Sequence, residues 1–178
     1  MEKFEYCKES YHYELSRRSD LRSALSLPIG LTVILAGALY SLLSNYNWPS
    51  SLKIVDYSFG LTCLLSGISL GLVIFNLIFC HINYEYAYVP TPKEILDYRD
   101  NLVVHYQKTL DENESADQEA ERNTVQYLEK EFASNAHHNS LNNNEKSGYL
   151  HNASVFLVAS LIFTMLAGLL VLISKWTG

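Results

Sequence analysis

The chain is short of the residues that most enzymes display. It has only three cysteines among 178 residues, Cys7, Cys63 and Cys80, and their separations fit no metal-ligand pattern. They are expected to be free thiols packed as small apolar groups. His137 and His138 are neighbours, so on a helix they point about 100° apart and cannot grip one ion as an i,i+4 pair does. No glycine-rich phosphate loop, nucleophile elbow or usefully spaced pair of carboxylates occurs. These absences lead to the expectation of a protein without enzymatic activity, cofactor or metal.

Charge is missing too, but only locally. Hydrophobic residues make up 48% of the chain, and the mean hydropathy is zero. That average hides three runs with no Asp, Glu, Lys or Arg: Ala24–Leu43, Ser58–Cys80 and Ala153–Ile173. At about 1.5 Å per residue, 20 helical residues cover the roughly 30 Å of a bilayer's hydrocarbon core. A small soluble core has no room for three such helices. The first run follows a charged tail and exceeds the usual apolar stretch of a signal peptide, so it is expected to be a retained anchor.

The basic residues set an expected orientation. The N-terminal tail, residues 1–23, carries Lys3, Lys8, Arg17, Arg18 and Arg22. The segment 83–152 carries Lys93, Arg99, Lys108, Arg122, Lys130 and Lys146. Only Lys53 and Lys175 fall in the connection between the first two runs and in the tail 174–178. The positive-inside rule then places the N-terminus and the long segment in the cytoplasm, and the tail 174–178 outside. The expected order is a cytoplasmic tail (1–23), a transmembrane hairpin (24–82, spans 24–43 and 58–80), a cytoplasmic helical region (83–152), and a third span (153–173). The region 83–152 holds 13 acidic and 6 basic residues, a net of −7. A surface of that sign repels a phosphate backbone, so no direct binding of nucleic acid is expected.

The exit from the second run is "CHINYEYAYVPTPKEILDY". Tyr84, Tyr86 and Tyr88 suit the membrane–water boundary, having an apolar ring and a polar hydroxyl. Their alternation would also suit a short strand, though no partner strand is evident. "TPKE" is a helix start: Thr91 as N-cap, Pro92 at the first helical position, and Glu94 completing a capping box. Ile95, Tyr98, Leu102, Tyr106 and Leu110 then recur at helical spacing. Pro90 and Pro92 are candidates for a stiff hinge between the membrane and cytoplasmic parts.

A second helix is predicted after the acidic linker Asp111–Glu114, with Ser115 and Gln118 as another capping box. The stretch 134–154, "SNAHHNSLNNNEKSGYLHNAS", has two readings. Its composition is that of a polar loop, and Gly148 costs a helix about 1 kcal/mol. Yet Phe132, Ala136, Asn139, Asn143, Ser147, Leu150 and Ser154 form one narrow seam at spacings of three or four. That favours one long helix running into the third span. Asn139 and Asn143 would then lie at a helix–helix contact, where a buried amide fixes register.

Small residues line the runs themselves. Gly60, Gly67 and Gly71 form one stripe, "GISLG" being a GxxxG pattern, and Gly30 and Gly37 stand seven apart in the first run. Such stripes let membrane helices approach closely, either within one chain or between copies, so a homo-oligomer is expected. No ionisable residue interrupts the runs, which argues against an ion- or proton-coupled pump.

Two resemblances add to this. "RDNLVVH", Arg99 to His105, resembles the signature of HEPN ribonucleases, in which arginine and histidine act on the RNA phosphate and 2′-hydroxyl. The layout "YHYELSRRSDLRSALSLPIG", span, short loop, span, "YEYAYVPTPKEILDY" and helix into a last span resembles small bacterial multi-span membrane proteins found beside anti-phage modules. The second resemblance covers most of the chain. It implies a membrane-disrupting effector in the bacterial inner membrane that works with a soluble defence protein. The expectation is therefore an all-α protein with three transmembrane helices and a cytoplasmic helical hairpin continuing into the third span. It would act as an oligomeric effector on the lipid bilayer, with a passive anchor or a tethered HEPN-like ribonuclease as alternatives.

Overall fold

A computed structural model describes residues 2–48, 53–82, 84–109 and 115–177. The acidic linker Asp111–Glu114, and Leu110 of the predicted helix that precedes it, lie outside the described residues. The order is α1 (Glu2–Ala24), α2 (Ser26–Ser44), α3 (Ile54–His81), α4 (Pro92–Thr109) and α5 (Ala116–Thr177), with no strand among the described residues. Three helices are long and apolar enough to cross a membrane.

The charged N-terminal tail is itself a helix. Glu2 and Glu5 lie in its first turn and Arg22 in its last, the signs that the helix dipole favours at each end. The break between α1 and α2 has a local cause. Pro28 has no N–H to offer the Ala24 carbonyl, and its ring crowds that oxygen. The helical pattern lapses at Leu25 and resumes at once, with Ile29 N donating to Leu25 O at 3.2 Å.

The chain forms two compact units. One comprises Met1–Ser19 and Tyr84–Asn143, the other Asp20–Asn83 and Asn144–Gly178. In the first unit, α1 packs on α5 through Cys7, Tyr11, Phe132 and Ala136, with Phe4, Leu15, Val89 and Leu128 around them. Phe132 takes the edges of Phe4 and Tyr11 at centroid distances of 5.7 and 5.5 Å. Lys3 pairs with Glu129, and Asn143 reaches Glu14, so α1 and α5 run in the same direction. The N-terminal residues and the segment after α3 thus belong to one packed unit.

The second unit holds the apolar helices. Leu35, Leu39, Phe59, Cys63, Leu70, Val73, Leu157 and Ala167 meet inside it. Ser66 Oγ lies 2.8 Å from Thr164 Oγ1 and 3.1 Å from Ser160 Oγ, all three side chains being buried. Hydroxyl contacts of this kind tie helices together where no water competes. Outward, Leu27, Val33, Ile34, Leu64, Met165 and Leu169 are exposed. A water-facing surface does not present apolar side chains so continuously, and this is the surface of a membrane-associated chain.

Both predicted helix starts are present. Glu94 Oε2 accepts from Thr91 N at 2.7 Å and from Thr91 Oγ1 at 2.8 Å, while Glu94 N donates to Thr91 Oγ1 at 3.4 Å. Gln118 N donates to Ser115 Oγ at 3.4 Å, and α5 begins one residue later. From there α5 is unbroken for 62 residues, passing through the asparagine-rich stretch and Gly148. Beside that glycine, Tyr149 stacks on Phe79 at 5.8 Å and the Cys80 thiol donates to Lys146 O. Tertiary contact overrides the weak helix propensity of this segment.

The backbone N–H and hydroxyl of Thr91 hold the Glu94 carboxyl below the usual glutamate range. A depressed folded-state value means that this contribution is complete above the unfolded value, about 4.3, and is lost as pH falls through the folded one. Hydrogen-exchange protection in the first turn of α4 should therefore drop on acidification from neutral pH to below about 4. Glu94→Gln should flatten that dependence. An unchanged pH profile in the variant would show that the box does not govern this helix start.

Candidate functional site

The segment 84–91 is not helical and is held along α5 by side chains. Its backbone needs partners, and no strand among the described residues supplies them. Asparagine does so instead. Ala87 N donates to Asn139 Oδ1 at 2.9 Å, and Asn139 Nδ2 donates to Ala87 O at 3.0 Å. One carboxamide thus copies the two-bond exchange of a paired residue in an antiparallel ladder. Asn142 Nδ2 donates to Glu85 O at 2.7 Å, and a His138 ring nitrogen lies 2.8 Å from the same oxygen. Val89 N donates to Tyr11 Oη at 3.4 Å.

Asn143 joins three parts of the unit. Its Oδ1 accepts from Tyr86 Oη at 2.6 Å, and its Nδ2 donates to both Glu14 O and Glu14 Oε2 at 2.8 Å. Asn139 and Asn143 have no exposed surface at all. Arg18 closes the cluster, its guanidinium 4.2 Å from the centre of the Tyr86 ring and hydrogen-bonded to Tyr88 Oη. Tyr86 and Tyr88, which suit a membrane boundary by type, spend their hydroxyls on protein partners. Pro90 and Pro92 follow, and α4 begins at Pro92.

The glycines lie differently. A Cβ placed on Gly30, Gly37 or Gly71 meets nothing within 4 Å, one on Gly67 touches Leu39 at 4.0 Å, and one on Gly60 touches Trp48 at 3.7 Å. The chain's own packing leaves these positions largely open. A groove of about 580 Å³ lies over Gly60 and Gly67, walled by Leu43, Trp48, Leu64 and Ile68.

The ribonuclease-like pair lies on α4. Arg99 donates to Glu121 Oε2 at 3.1 Å and to Asp117 Oδ1 at 3.3 Å, bridging α4 to α5. His105 stands six residues on, about 240° around the helix, against the Tyr106 ring. Cys7, Cys63 and Cys80 are buried free thiols. No group of three or more potential metal ligands occurs among the described residues.

The residues that sequence reasoning missed are Glu14, Arg18 and Tyr11. Their signal was the helical spacing of Phe4, Cys7, Tyr11 and Leu15 within the charged tail. No protein-family model, curated protein or solved structure matches the chain.

Asn139→Ala removes two hydrogen bonds and leaves the Ala87 amide without its partner, which should destabilise the first unit by about 2–4 kcal/mol. Exchange protection at Ala87 should collapse, whereas Asn142→Ala, at a half-buried position with one bond to Glu85 O, should cost less than about 1 kcal/mol. Equal effects of the two changes would overturn the central place of Asn139.

Proposed function

We propose that the chain is an oligomeric effector of the bacterial inner membrane, acting in anti-phage defence by depolarising the cell when triggered through its cytoplasmic helices. The open glycine faces carry this reading. If Gly30, Gly37 and Gly71 packed the chain's own helices, their Cβ positions would be crowded, and they are not. Small residues that a membrane chain does not use internally are available for a second copy. The buried hydroxyls of Ser66, Ser160 and Thr164 are turned inward and satisfied. The surface left for assembly is apolar, which suits a hydrophobic gate better than a permanently wet pore.

Eleven basic residues on the side shared by the N-terminus and the segment 83–152 support a cytoplasmic location for both. In this reading a soluble partner engages the acidic region. The segment from Tyr84 to Pro92, and α5, which continues into the third span, carry the response to the membrane. The layout resemblance supplies the defence context. A passive anchor that recruits the same partner is the alternative.

Gly71→Leu tests the reading cleanly, because open space at Gly71 lets the single chain accept the larger side chain. In membranes, chemical cross-linking should fall from oligomer to monomer while thermal unfolding is little changed. In phage-challenged cells expressing the protein with its genomic neighbours, the loss of membrane potential should disappear. A Gly71→Leu protein that still depolarises cells would refute assembly through this face. An unchanged potential in the parent with protection intact would favour the anchor.

A further inference from the structure

The first unit carries a second surface that its own contacts do not use. A groove of about 430 Å³ runs between α1 and α5, lined by Tyr6, Glu9, Tyr13 and Glu14 on one side and Ala136 and His137 on the other. Tyr6 and Tyr13 are 71% and 65% exposed, unusually open for large aromatic side chains. They stand seven residues apart on one face of α1, about 10.5 Å along its axis. Glu9 lies between them. Among the described residues, the side chains of Tyr6, Glu9, Tyr13 and His137 make no hydrogen bond, ion pair or ring contact, and no lysine or arginine lines the groove. Glu14 is the exception, being already tied to Asn143 and Arg17.

We propose that this groove receives a helix of a soluble partner protein bearing two basic side chains one heptad apart. Three features select that occupant. Two helices running in the same direction leave a straight trough, and Ala136 and Ser140 are small enough for a third helix to approach closely. Each tyrosine ring offers a π-face to a guanidinium or ammonium group, at the spacing of two turns of the incoming helix. The Glu9 carboxylate between the rings has no partner of its own and supplies a charge-assisted hydrogen bond. The net of −7 over residues 83–152 draws a basic segment to the unit and turns away anionic lipid and nucleic acid.

This deepens the triggered-effector reading by naming where the trigger docks, and binding can be measured apart from permeability. The full chain in nanodiscs of zwitterionic lipid is titrated with two labelled helical peptides of identical composition. One carries two arginines seven positions apart, and the other carries them adjacent. The spaced peptide should bind about tenfold tighter. Glu9→Gln with Tyr13→Ala should erase that difference, and Asp97→Asn, which removes the same charge from α4, should not. Spermine should compete with both peptides equally and weakly. Equal affinity for the two peptides, or equal loss in Asp97→Asn, would overturn the proposal by showing only bulk electrostatic attraction. Preferential capture of spermine would replace the helix with a polyamine. Gly71→Leu should leave the tenfold preference intact, so failure of the groove and failure of assembly are read independently.

Discussion

An extended backbone that leaves a membrane helix must satisfy its N–H and C=O groups somewhere, and here one carboxamide does so. Asn139 both gives and takes a hydrogen bond at Ala87, which fixes the extended segment against α5 residue by residue. The neighbouring bonds follow from that register. Once Ala87 is placed, Glu85 O faces Asn142 and His138, Tyr86 Oη reaches Asn143, and Val89 enters the cluster around Tyr11 and Phe132. Asn143 then passes the arrangement to α1 through Glu14. A buried polar network of this kind is worth having only when its members are satisfied together, and here both amide atoms of Asn139 and of Asn143 have partners, while Asn135 Nδ2, a turn earlier on α5, is buried without one.

The apolar unit obeys the same rule in another solvent. Polar side chains within its helices bond to one another or to their own backbone, as the Thr32 hydroxyl does to Pro28 O and the Asn76 amide to Leu72 O. What remains outside is mostly hydrocarbon, with open glycines among it. Polar groups hold the chain to itself, while close backbone approach is left available to something else. That is the division of labour in this unit: strength inward, permissive geometry outward.

Local chemistry was legible in the sequence and distant chemistry was not. Thr91, Pro92 and Glu94 could be read as a helix start because a capping box closes within four residues. The three charge-free runs could be read because length and composition alone decide what a bilayer accepts. The spacing of Asn139 and Asn143 revealed a seam but not its occupant, since Ala87 lies 52 residues away and Glu14 129. The strand pattern at Tyr84–Tyr88 has no partner strand in the sequence because its partner is a side chain, Asn139. The helix α1 was overlooked because its charges mask a four-residue apolar line. Whether glycines face inward or outward is a matter of rotation about the helix axis, which composition does not encode.

The separation between Asn143 and its partners also sets an order of birth. At about 5–20 residues per second, Glu14 emerges roughly 6–26 s before the amide that holds it. Ala87 waits about 3–10 s for Asn139. By then the first two apolar helices have been synthesised, while the third span has still to be made. The first unit therefore stays open through most of translation and closes late, just before the last apolar stretch of α5 is made. A nascent chain of this protein passes its early life without the clamp that defines its mature form.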